Sequence, residues 1–193
     1  MTDFIFMVRD TSYMYVTGPD VVKTVTNEEV THEELGGARV HAVKSGVVEG
    51  AFDNDIEALT QIRRLITFLP QSYAEKPPVI PSFDSIDRTD RSLDTLVPAN
   101  PNMPYDMKEL VEKVCDEGDY FEISPDFGGN IICAFGRIDG STVGFVANQP
   151  MTLAGVLDID ASRKAARFVR FCDCFNIPIV TFVDVPGFMP GTK

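Results

Sequence analysis

Residues 130–188, NIICAFGRIDGSTVGFVANQPMTLAGVLDIDASRKAARFVRFCDCFNIPIVTFVDVPGF, decide the fold class. Two apolar runs, NIICAFGRI and TVGFVAN, flank Asp139-Gly140. An Asp-Gly pair between such runs predicts a tight hairpin, because the favoured two-residue turn needs positive φ at both central positions. Downstream, Ala165, Phe168, Val169, Cys172 and Phe175 recur at helical spacing, predicting a helix over residues 160–175 with one apolar face. Ile179 to Val183 is an unbroken apolar run, as expected of a strand buried on both faces. Strand, helix, strand in this order predicts a right-handed crossover and an α/β fold. Ligands of open α/β sheets bind beyond the carboxyl ends of strands, which directs attention to Asp184-Val185-Pro186-Gly187-Phe188. No covering helix follows that strand, so the chain reads as a fragment of a larger protein.

Working back toward the N-terminus, Met107, Leu110, Val111 and Val114 fall at i, i+3, i+4 and i+7, with Asp106 able to cap the helix they predict. Phe121-Glu122-Ile123 reads as a brief strand. Between Gln71 and Pro104 stand Pro77, Pro78, Pro81, Pro98, Pro101 and Pro104 with little periodicity, which predicts a linker between two folded halves. In the first half, FIFMV and SYMYVTG are strand-like in composition. Pro19 suits the first turn of a helix through VVKTV, and Thr31 with Glu34 forms a possible capping box. Ile56, Leu59, Ile62, Ile66 and Leu69 predict an amphipathic helix ending at Pro70.

Composition narrows the function. The chain has 193 residues, 44% hydrophobic and 24% charged, ordinary for a globular protein and long enough for a real core. No apolar run approaches the roughly 18 residues of a membrane span. With 29 acidic against 17 basic residues, a net charge of -12 argues against nucleic acid and suits a basic protein partner. The four cysteines, at 115, 133, 172 and 174, form no CxxC pair and read as buried thiols in a reducing compartment. MTDFIFMVRD has neither the basic region nor the cleavage site of a signal peptide, which points to cytoplasm or a mature organelle matrix.

The usual catalytic constellations are absent. His32 and His41 are the only histidines, and HEEL is not the zinc-binding HExxH. His32 reads as a surface or capping residue; His41 is either structural or faces a site beside Gly36-Gly37. No metal-ligand pattern, GxSxG elbow, P-loop or GxGxxG is found. Gly128-Gly129 and Gly187 permit tight turns or close backbone approach. Asp158 and Asp160 read as helix-start residues or as catalytic carboxylates. Arg163, Lys164, Arg167 and Arg170 read as a solvated face or as contacts to an anion. Asn148-Gln149-Pro150 is a polar turn or a ligand-facing loop.

Three strings carry a resemblance. SYMYVTGPDVVKTVTNEEVTHEELGGARVHAVKSGV resembles the N-domain of the carboxyltransferase (beta) subunits of biotin-dependent acyl-CoA carboxylases. FEISPDFGGNIICAFGRIDGSTVGFVANQP and KAARFVRFCDCFNIPIVTFVDVPGFMPG resemble the start of the C-domain, and TGPDVVKTVTNE is closer to the propionyl-CoA type than to the methylcrotonyl-CoA type. The resemblance implies a crotonase-like ββα spiral, with residues 1–72 ending the N-domain, 73–104 a proline-rich linker and 105–193 starting the C-domain. It implies transfer of a carboxyl group from carboxybiotin to the α-carbon of a short-chain acyl-CoA, propionyl-CoA to methylmalonyl-CoA. The implied partners are a biotin carboxylase/biotin carboxyl carrier subunit, which uses ATP, and copies of the chain itself in a hexamer.

For acyl-CoA the resemblance points to Phe121, Gly128, Gly129, Asn130, Arg137, Asn148 and Gln149. The biotin side of the cleft falls on Gly36, Gly37, Pro186, Gly187 and Phe188. Family glycines that form the oxyanion holes should precede Met1 and follow Lys193, so no catalytic residue is assigned and the isolated chain is expected to be inactive. Backbone N–H groups, and not a side-chain base, are what this chemistry asks of the protein. A biotin-dependent decarboxylase subunit and a non-catalytic assembly module are the alternatives. Compartment stays open between bacterial cytoplasm and mitochondrial matrix.

Overall fold

The computed structural model describes residues 2–191, which form two compact units: residues 2–64 with 124–127, and residues 65–123 with 128–191. In the first, β1 (Phe6–Val8) pairs in parallel with β2 (Gly50–Phe52), in the register Phe6↔Gly50 to Val8↔Phe52. Between them lie α1 (Pro19–Thr26), α2 (His32–Gly36) and a π-helical turn, Val40–Ser45. Pro19 opens α1, and Asn27 closes it in the left-handed region at φ 58. At α2 the capping box forms: Glu34 N–H donates to the Thr31 hydroxyl, and Thr31 N–H donates to the Glu34 carboxylate. Met7, Ala38, Ala42 and Val48 make a small core there.

SYMYVTG does not become a strand. Tyr13 makes a single bridge with Gly37, and Met14 N–H donates to Gly36 O. The segment is thus tied to the end of α2, and Pro19 just beyond it has no N–H to extend a ladder. The next helix, α3 (Asp55–Ile66), also departs from expectation. It stops at Ile66, where Phe68 and Leu69 N–H groups turn back to Leu65 and Ile66 carbonyls. Ala58 and Leu65 are buried, whereas Ile56, Leu59 and Ile66 are 79%, 60% and 61% exposed.

The second unit is built on a four-stranded sheet of order β3-β4-β5-β6: β3 (Tyr120–Glu122), β4 (Ile131–Ile138), β5 (Ser141–Asn148) and β6 (Ile179–Phe182). The first three are antiparallel neighbours, and β6 runs parallel to β5. The hairpin turn is as expected, with φ 50 at Asp139 and 73 at Gly140. The proline-rich stretch is irregular apart from α4 (Leu93–Leu96), and it is tied down by Ile80 N–H to Gly140 O and Phe83 N–H to Glu117 Oε1. Asp106 caps α5 (Met107–Val114) and Asp158 caps α6 (Ile159–Cys174). Strand alternation sends Ile132, Ala134, Val143 and Phe145 into one core with Met107, Val111 and Cys115 of the α5 region. It sends Phe135 to the other face, 4.9 Å from the ring of Phe168 on α6.

Four expectations about this unit are corrected. Among the described residues β6 is not buried on both faces: it lies at the edge of the sheet, with Ile179 37% and, just past it, Val183 70% exposed. Lys164 is not on the solvated face. It is 6% exposed and donates to Ile131 O at 2.9 Å, while Arg163, Arg167 and Arg170 stay exposed. Val169, placed on the apolar face, is 39% exposed because α6 covers the sheet with a narrower stripe. Three of the thiols are buried, but Cys174 at the end of α6 is exposed.

Candidate functional site

The carboxyl ends of the parallel strands β5 and β6 lie beside the amino end of β4, and buried amides bind the surrounding loops together. Asn130, 1% exposed, donates from Nδ2 to Val156 O at 2.7 Å, and its own carbonyl accepts Gln149 N–H at 3.0 Å. Asn148, 6% exposed, donates to Gly155 O and accepts Asp184 N–H at 3.2 Å. Gln149 donates to Asp106 Oδ1 at 2.7 Å, and its Oε1 receives the Met107 and Met151 N–H groups. These side chains are half a polar turn and half a scaffold. Their hydrogen-bonding capacity is largely used on neighbours, as burial requires.

Two loops form the rim. Residues 153–155 are all left-handed, at φ 49, 52 and 77, an arrangement costly for Leu153 and Ala154. Gly155 is needed there, because a Cβ would stand 2.9 Å from Asp184 O. The second loop follows β6 and is joined to the first by Leu157 N–H to Gly187 O and Met189 N–H to Leu157 O. Gly187 is open, with nothing among the described residues within 4 Å of where a Cβ would lie. On and beside these two loops Met151, Leu153, Phe188 and Met189 are 60%, 51%, 74% and 42% exposed, apolar side chains on a polar scaffold. Gly128 and Gly129 join this end through the start of α6: a Cβ on Gly128 would lie 3.1 Å from Ala161 N.

The remaining residues singled out in the sequence stand elsewhere. Arg137 is at the far end of β4, roughly 20 Å from Asn130 at about 3.3 Å per residue. It stacks over Phe68 at 4.0 Å and donates to Thr67 O. Phe121 is buried within β3. Gly36 and Gly37 belong to the first unit and close α2, where a Cβ on Gly36 would meet Met14 O. His41 is structural, its ring between Ser45 Oγ and Met14 O, and His32 meets the Tyr15 hydroxyl. Among the described residues no cluster of three or more metal-type donors forms.

Sequence reading missed Tyr105 and Asp184 as a pair. The Tyr105 hydroxyl donates to Asp184 Oδ2 at 2.7 Å across 79 residues. Burial, then the Asp184 carboxylate, pushes this hydroxyl up to about 12. No local pattern links residues so far apart. The chemistry on offer is therefore orientation and backbone contact: among these residues the carboxylates of Asp106 and Asp184 already accept hydrogen bonds, and no imidazole or thiol is present.

The whole chain, residues 1–193, matches the family described as the carboxyl transferase domain. It is 70% identical over 192 residues to the propionyl-CoA carboxylase beta chain of Cereibacter sphaeroides, covering all of this chain and 38% of that one. It is 54% identical over 193 residues to the methylmalonyl-CoA decarboxylase subunit alpha of Veillonella parvula, again 38% of its length. Among solved structures, a hexameric transcarboxylase 12S with methylmalonyl-coenzyme A and methylmalonic acid bound superposes with a TM-score of 0.95 at 43% identity, over 98% of this chain and 37% of that one.

Proposed function

The chain belongs to the carboxyl transferase domain family, and from that membership we propose that it is the central portion of a subunit that carboxylates propionyl-CoA to methylmalonyl-CoA. The fold is the crotonase-like carboxyltransferase fold expected from the sequence. The single observation that carries the substrate is the 70% identity, across the full chain, to a propionyl-CoA carboxylase beta chain. In this reading residues 1–72 close the N-domain, 73–104 link and 105–193 open the C-domain.

The acyl-CoA side falls on Gly128, Gly129, Asn130, Asn148 and Gln149, which share one end of the sheet. Phe121 and Arg137 enter as supports of the same sheet. The amides of Asn130, Asn148 and Gln149 orient loops, and the backbone of those loops faces the thioester. Pro186-Gly187-Phe188 is proposed for the biotin side, and Gly36-Gly37 of the first unit is proposed separately for contact with biotin. The second loop fits a flat bicyclic headgroup: open backbone at Gly187 adjoins the exposed ring of Phe188. Biotin, when brought by its carrier, would supply the carboxyl group and the base for the α-proton. The protein's part is to hold the thioester, exclude water with the apolar side chains of the two loops and keep backbone N–H groups aimed at developing negative charge. Such alignment is worth up to about 7–11 kcal/mol in well-oriented reactions.

A biotin carboxylase/carrier subunit using ATP, and a hexamer of full-length subunits, complete the proposal. Its setting is bacterial cytoplasm or mitochondrial matrix. No helix among the described residues is long and apolar enough to cross a membrane. The 54% identity to a methylmalonyl-CoA decarboxylase subunit supports a second reading, the same transfer run in reverse. The test uses the full-length subunit with its biotin-carrying partner, propionyl-CoA, labelled bicarbonate and ATP, with acetyl-CoA alongside. Avidin-sensitive, ATP-dependent labelling that favours propionyl-CoA is expected. Loss of label from methylmalonyl-CoA without any ATP-driven fixation would move the assignment to the decarboxylase.

A further inference from the structure

Beyond Phe182 the chain leaves the sheet with few apolar anchors: Val183 is 70%, Val185 37% and Phe188 74% exposed. What fixes this segment is polar. Asp184 N–H meets Asn148 Oδ1, the Asp184 carboxylate receives the Tyr105 hydroxyl, and two backbone bonds join residues 187–189 to Leu157. Tyr105 is itself well founded, since its ring packs on the Met107–Val111–Cys115 core and the next residue caps α5. Underneath, Gly155 leaves room for Asp184 O only by having no side chain.

We propose that Tyr105 and Asp184 form a latch, a pair of positioning residues that holds residues 184–189 against the 152–157 loop and so sets the ligand-facing backbone at this end of the sheet. The catalytic consequence rests on the reading of that end as the carboxyl-transfer cleft. Neither residue needs to touch substrate. The Tyr105 hydroxyl, pushed up to about 12, stays a donor throughout the physiological range, so the latch does not open with modest changes of pH. Tyr105 belongs to the stretch ahead of α5 and Asp184 to the loop that follows β6, so the contact fastens that loop to the segment leading into α5.

The test compares Tyr105→Phe, Asp184→Asn, Asp184→Ala and the double variant Tyr105→Phe/Asp184→Ala, each in the full-length subunit assembled with its partner. Hydrogen exchange of the 184–189 amides reads the latch without any reaction. Loss of one charge-assisted hydrogen bond should speed exchange there by about tenfold in Tyr105→Phe and Asp184→Ala. Asp184→Asn keeps an acceptor oxygen but loses the charge, and should fall between wild type and Asp184→Ala. In propionyl-CoA carboxylation the same two variants should lose about tenfold or more in kcat with little change in KM, since misplacement affects the transition state more than binding. The double variant should be no worse than either single one.

Unchanged exchange in Tyr105→Phe, an Asp184→Asn variant as impaired as Asp184→Ala, or additive losses in the double variant would overturn the latch. So would faster exchange with no loss in kcat, because the loop would then be held to no catalytic purpose. A wild-type assembly that does not carboxylate propionyl-CoA would instead remove the proposed reaction, and the exchange comparison alone would decide whether the pair holds the loop.

Discussion

Thr142 is 2% exposed on β5, and its hydroxyl oxygen has no hydrogen-bond partner among the described residues. An unpaired buried hydroxyl costs more than a methyl group in its place, so Thr142→Val should raise stability by about 1 kcal/mol, read as a higher denaturant midpoint at unchanged slope. Asp116 is the opposite case. It is 7% exposed, and its carboxylate accepts the Asp139 and Gly140 N–H groups at 3.1 and 2.7 Å. Asp116→Ala strands both donors beneath the hairpin turn and should cost about 1.5–3 kcal/mol by the same measurement. Burial pushes the thiols of Cys115, Cys133 and Cys172 from 9.0 up to about 12. A raised folded-state value means that these thiols stabilise the fold fully below pH 9 and that this is lost as pH climbs toward 12. Stability should therefore fall across that alkaline window, and the three thiols should react with an aromatic disulfide only on unfolding.

Among the elements, the β4–β5 hairpin depends most on one residue. Gly140 has φ 73, and a Cβ there would stand 2.0 Å from Ile80 O, a backbone atom that cannot swing aside. Gly140→Ala should destabilise by more than about 1 kcal/mol, with the first loss of amide protection at the hairpin turn. This turn, the capping box at Thr31 and Glu34, and the caps at Asp106 and Asp158 were all legible in sequence, because each is settled within a few residues. SYMYVTG does not form a strand, and Ile179–Phe182 is a strand but is not buried on both faces, for a shared reason. Composition reports how well residues suit a pleated surface, and says nothing of whether a neighbouring strand is present to pair with or cover them. Lys164 eluded charge patterning likewise: its spacing matches the exposed arginines of α6, yet it reaches inward to Ile131 O. Asn148 and Gln149 stood out in the sequence as a polar turn or ligand loop, but the geometry that explains their burial comes from Asp106, Gly155 and Asp184.

For the molecule as a whole, the chain spans 38% of the Cereibacter sphaeroides relative that it matches, so its reaction is a property to be tested on the full subunit. Carboxyl transfer itself is common to the carboxylase and the decarboxylase readings, and it can be isolated from both partners. The decisive measurement incubates the purified full-length subunit with methylmalonyl-CoA and free biotin, without ATP or carrier, and follows formation of propionyl-CoA. Biotin-dependent formation of propionyl-CoA is the predicted result. Its absence, with a properly assembled subunit and no response to added biotin, would contradict the assignment of this chain to a carboxyl-transferring enzyme.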